Sequence, residues 1–191
     1  MDKRIICGLV SPLICIVVLL VSIIIYPGYN VTVNYVSDLG AAASSGTIFR
    51  IGIAAVGIFG IIFSFALFER LKKKWGAGAF LVASIAILGV AVFNNKTDVE
   101  QFYFGLFKSH YEISHVISAA VFFTSQAVAN FLIGYELRKQ TGYFIMATSL
   151  LGLLFILMPL PLVEHIAVFA FCISTLVLAF RMSGIKIVNY I

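Results

Sequence analysis

The chain has 191 residues, of which 62% are hydrophobic and 11% charged, and it carries a formal net charge of +5. Ordinary soluble domains hold about 25% charged residues. Runs such as LICIVVLLVSIIIY exceed what a soluble core can hide, so the composition excludes a soluble protein and predicts an all-α integral membrane bundle. Nucleic acid is excluded as a partner, because the basic residues stand in short clusters between apolar runs rather than along a phosphate-tracking surface.

A spanning helix needs roughly 20 mostly apolar residues, and six runs of that kind fill residues 1–191 as one domain. The first covers about 5–26, after MDKR, with a kink expected at Pro12. YPGYN follows it without a small-residue cleavage site, so the run reads as a mature helix rather than a removed signal. The second and third helices are expected over about 47–68 and 76–93, and the fourth over about 110–134. The fifth and sixth cover about 143–160 and 164–182, and the short PLPLVE connection makes them antiparallel neighbours. Cys7, Cys15 and Cys172 lie inside apolar runs and read as buried thiols, not a disulfide framework.

Lysine and arginine set the orientation. Lys3, Arg4, Arg70, Lys72, Lys73, Lys74, Arg138, Lys139, Arg181 and Lys186 share one side, against Arg50, Lys96 and Lys108 on the other. The positive-inside rule then puts both termini in the cytoplasm of a multi-pass cell (plasma) membrane protein. The sequons at Asn30 and Asn95 fall in the outer loops.

The ionisable residues are distributed unevenly. Asp38, Asp98, Glu100, Glu112 and Glu164 sit at or near outer helix ends, with all three histidines, His110, His115 and His165, and with Arg50. Ionisable groups at membrane depth face a bundle interior or a water-filled cavity. Asp38, Asp98, His115 and Glu164 are therefore expected to converge, with Arg50 pairing one of the carboxylates. Glu112 and His115 are three apart and share a helix face, which continues through Ala119, Phe122, Gln126 and Asn130. His110 points roughly 140° from His115, so the two are not a ready chelating pair.

Structural roles stand beside these. Asp38 suits the cap of a short interfacial helix, and Glu164 favours the positive end of a helix dipole. Gln126 and Asn130 suit hydrogen bonding between helices. Phe102, Tyr103, Phe104 and Phe107 suit an aromatic segment roofing the cluster at the interface.

YPGYNVTVNYVSDLG at 26–40 resembles the start of the domain of unknown function 998 family of small bacterial and archaeal membrane proteins. The resemblance runs over nearly the whole chain. It maps the family's Ser-Asp-Leu-Gly run onto Ser37–Gly40, its outer Thr-Asp onto Thr97–Asp98, its helix-4 His onto His115 and its last-helix Glu onto Glu164. FNNKTD departs from the family's approach to Asp98, and His165 follows Glu164 where the family has Arg. The resemblance implies the fold and the cluster, and no reaction.

The reading these residues support is a membrane enzyme acting at the outer leaflet on a lipid or lipid-linked substrate. Asp38, His115, Glu164, Asp98 and Ser37 are its candidate catalytic residues. His115, His165 and Glu112 are candidate ligands for a divalent metal such as zinc, which suits imidazole with carboxylate. The chain lacks the His-x-x-x-His pair of zinc membrane hydrolases that use Ser, Asp and three His. The alternatives are a non-catalytic accessory or assembly subunit and a small proton-coupled carrier. Expected partners are the bilayer, a lipid or small-molecule substrate, and a homo-oligomer or larger membrane complex.

Overall fold

The computed structural model describes residues 2–93 and 110–184. Its elements are α1 (Lys3–Ile25), α2 (Asp38–Ala41), α3 (Gly46–Arg70), α4 (Lys74–Val92), α5 (His110–Leu137), α6 (Lys139–Leu157) and α7 (Pro161–Ser183). Six of these are long and apolar enough to cross a membrane, and none of the described residues forms a strand. The large apolar side chains left exposed, such as Ile24, Ile51 and Leu157, are what a lipid-facing surface requires.

The helices run up and down, packing α1 against α3 and α7, α4 against α3 and α5, and α6 between α5 and α7. Close approach at the α5–α6 seam depends on missing side chains. A Cβ on Gly134 would stand 2.5 Å from the Gly142 carbonyl oxygen, so the two backbones meet as small residues allow in membrane bundles. This contact also explains a shifted boundary. The fifth spanning helix was expected from about 143 but starts at Lys139, because Gly142 is a packing residue inside the helix.

Pro12 lies inside α1, and the neighbouring Ser11 hydroxyl donates to the Val56 carbonyl of α3 at 3.0 Å. The termini end is tied by Arg4, whose guanidinium takes Glu69 of α3 at 2.6 and 2.7 Å while also holding Asp2. Nearby, the Lys74 ammonium donates to the Phe68 and Leu71 carbonyls at the end of α3, where a cation offsets the helix dipole. Two apolar clusters fill the bundle. One, around Phe63, Leu67 and Ile145, lies toward the termini, and the other, around Leu19, Phe123 and Phe171, lies toward the opposite end.

Candidate functional site

The end opposite the termini, here the distal end, is closed by residues 26–45 folding back over the bundle. Their hydrogen bonds to α7 fix the position of this segment. Glu164, in the first turn of α7 and buried, accepts from the Val36 backbone N–H at 2.8 Å. Tyr35 donates its hydroxyl to the Pro159 carbonyl at 2.7 Å. The Tyr29 hydroxyl donates to the Tyr35 carbonyl at 3.0 Å and lies 2.7 Å from His165 Nε2. His165 Nδ1 stands 2.7 Å from the Pro161 carbonyl, which makes that nitrogen a donor.

Asp38 opens α2, the short interfacial helix, as its first residue rather than its cap; Ser37 occupies the cap position without a side-chain bond to the helix. The Asp38 carboxylate instead reaches back, accepting from the Tyr35 N–H at 2.8 Å and from the Asn34 side chain. Burial raises its carboxyl above the usual aspartate range, and the two hydrogen bonds and the nearby His115 and His165 rings pull it back down. Burial also pushes the Tyr29 phenol up, with Glu164 and Asp38 adding to the effect, so this hydroxyl keeps its proton.

His115 sits just inside α5 and is buried. Its Nδ1 lies 2.7 Å from the carbonyl of Phe93, the residue that ends α4. A carbonyl only accepts, so Nδ1 is the donor in this contact, and Val90 is a second backbone partner of the ring.

Below this end lies a cavity of about 100 Å³. Ser37, His115 and Glu164 line it at the distal end, and side chains such as Ile53, Phe123, Val168 and Phe171 form its walls. It extends along α7 from Glu164 to Thr175, about 16 Å at 1.5 Å per residue. Ser11, Ser84, Gln126 and Thr175 line it as well, so this channel is mostly apolar with polar side chains spaced along it.

Three of the four residues expected to converge, Asp38, His115 and Glu164, do meet at the distal end. Asp98 lies outside the described residues, as do Glu100, the aromatic segment 102–107 and the sequon at Asn95. The backbone of α5 includes His110 and Glu112, and the expected Glu112–His115 pairing falls outside what is described. Arg50 pairs with no carboxylate among the described residues. Its Nε donates to the Gly46 carbonyl one turn back at 3.2 Å, since backbone N–H groups already serve Asp38 and Glu164. The lower part of the expected polar seam is a tie between helices. Gln126 donates to Asn130 at 3.0 Å, and Asn130 donates to Thr148 of α6 and Ser174 of α7 at 2.8 and 2.9 Å.

No group of three His, Cys, Asp or Glu side chains suited to a metal gathers among the described residues. Of the proposed metal ligands, His165 has both nitrogens within hydrogen-bond distance of protein oxygens. The described donor set therefore does not fit zinc.

The sequence reading missed Tyr29 and Tyr35. The signal was present in YPGYNVTVNY, where hydroxyl-bearing aromatics flank the Asp38 segment, but their partners lie 136 and 124 residues away.

A family model described as protein of unknown function (DUF998) matches residues 9–181. No curated protein and no solved structure matches the chain.

Proposed function

The chain belongs to the DUF998 family, a description without an activity, and from its distal end we propose a membrane enzyme that acts on a lipid or lipid-linked substrate at the outer leaflet. The observation that carries this reading is a mostly apolar cavity among α1, α3, α4, α5 and α7 that has Ser37, His115 and Glu164 in its lining. An apolar part of a substrate entering it would bring the adjoining polar linkage beside those three residues. In this reading the distal end faces outward, both termini are cytoplasmic, and the membrane is the cell membrane.

The chemistry offered is proton transfer. His115 has its tautomer set by the Phe93 carbonyl, which leaves Nε2 to take a proton from the Ser37 hydroxyl or from water. Glu164, held by the Val36 N–H, supplies a carboxyl at the same end. Asp38 acts as a positioning residue, because its carboxylate fixes the backbone that carries Ser37. A non-catalytic accessory role is favoured by one observation, that both buried carboxylates bond the backbone of the closing segment.

Incubating the purified protein in liposomes of total membrane lipid, followed by mass spectrometry of the lipid extract, separates these readings. The enzyme reading expects new lipid species that accumulate with time. A lipid profile unchanged against empty liposomes overturns it.

A further inference from the structure

At the termini end, Arg138, Lys139 and Arg181 converge on a recess of about 380 Å³ that Gln140, Thr141 and Tyr143 complete. The cations come from two places in the chain, the α5–α6 turn and the last turn of α7. All three are exposed. Among the described residues the ion pairs are those of Arg4 with Asp2 and Glu69. Glu136, the acid closest in sequence to the turn, is committed to the backbone N–H groups of Lys72 and Lys73. Three like charges thus face one recess, and no carboxylate among the described residues is paired to them.

The backbone that presents them is unusual. α5 ends at Leu137 and α6 begins at Lys139, so one residue reverses the chain, and Arg138 and Lys139 adopt φ of 46° and 61°. Side chains rarely adopt these values. Arg138 also lies over the Tyr135 ring, at 5.5 Å from its centroid.

The surroundings are those of a headgroup layer. Tyr143 is 64% exposed at the recess, as interfacial tyrosines are. Beyond it, α6 presents Leu150, Leu153 and Leu157 outward, a surface along which lipid tails can lie. Guanidinium groups match phosphate oxygens bidentately, the ammonium adds a point charge, and the Thr141 hydroxyl and Gln140 amide supply neutral donors. Basic recesses between spanning helices bind anionic lipid headgroups in this way.

We propose that the recess formed by Arg138, Lys139 and Arg181 is a binding site for the phosphate headgroup of an anionic phospholipid in the leaflet at the termini end. It is separate from the distal channel and does not depend on the function proposed for it.

The test uses the full chain in mild detergent, titrated with phosphatidylglycerol or phosphatidylcholine and read by native mass spectrometry. Wild type is expected to retain phosphatidylglycerol with roughly tenfold or greater preference, given the attraction of three nearby cations. The combined variant Arg138→Gln, Lys139→Gln, Arg181→Gln should lose that preference. A charge-matched variant at the same end, Lys3→Gln, Arg70→Gln, Lys72→Gln, should keep it. Should the combined variant fail to fold, Arg181→Gln alone is expected to weaken the preference severalfold. An equal loss in the charge-matched variant would overturn the proposal, because bulk charge would then explain the preference. Equal retention in the recess variants would overturn it too. Inorganic phosphate matching the effect of phosphatidylglycerol on thermal stability would overturn the assignment to a lipid.

Discussion

Replacing His115 with alanine is expected to lower turnover of the lipid substrate by roughly 10²- to 10⁴-fold, the range over which a positioned acid–base group contributes. The expectation rests on three features of this ring. It is buried, its Nδ1 is held by the Phe93 carbonyl, and it lines the channel with Ser37 and Glu164. His110→Ala, at the first residue of the same helix, should leave most of the turnover. Turnover by the two variants in liposomes, read with their melting midpoints in detergent, checks the assignment. Loss of stability without loss of turnover in His115→Ala would reduce the ring to a tie on the end of α4.

Glu164→Leu should be the most damaging single change to the closing segment. The carboxylate is buried, and its Oε2 is the acceptor for the Val36 N–H. Leucine leaves that donor without its partner, at a cost of about 1–3 kcal/mol. At about 2–4 °C per kcal/mol for a chain of this size, the melting midpoint should fall by roughly 2–12 °C. Glu164→Gln keeps an acceptor oxygen at the same place and should melt close to wild type while losing the titratable proton. The pair therefore separates the hydrogen bond from the charge. Equal melting of the leucine variant and wild type would show that Val36 finds another acceptor and that Glu164 does not hold the segment.

Hydropathy alone made the six spanning helices legible, because a bilayer demands long apolar runs with internally satisfied backbones. The ends were less clear where local and tertiary signals disagree. The expected fifth helix began just after Gly142, yet in the bundle this glycine is where α6 meets Gly134 of α5. The burial of Asp38, His115 and Glu164 at one end followed from their depth in the chain. Their partners did not, because backbone groups of residues 35, 36 and 93 satisfy them, and backbone donors carry no sequence signature. Arg50 meets neither Asp38 nor Glu164 for the same reason. The channel was invisible to the sequence because five helices spread along the chain must pack before it exists.

Whether a lipid tail enters that channel can be read directly with a phospholipid carrying a photoactivatable diazirine on its acyl chain. The lipid is supplied in liposomes, and its crosslinks to the full protein are mapped by mass spectrometry. α7 presents two faces to compare. Val168, Phe171 and Cys172 line the channel, whereas Ile166 and Ile173, each 46% exposed, face outward. The account predicts adducts on Val168, Phe171 or Cys172 that disappear when excess unlabelled lipid competes. Adducts confined to Ile166, Ile173 and other outward-facing residues would contradict it.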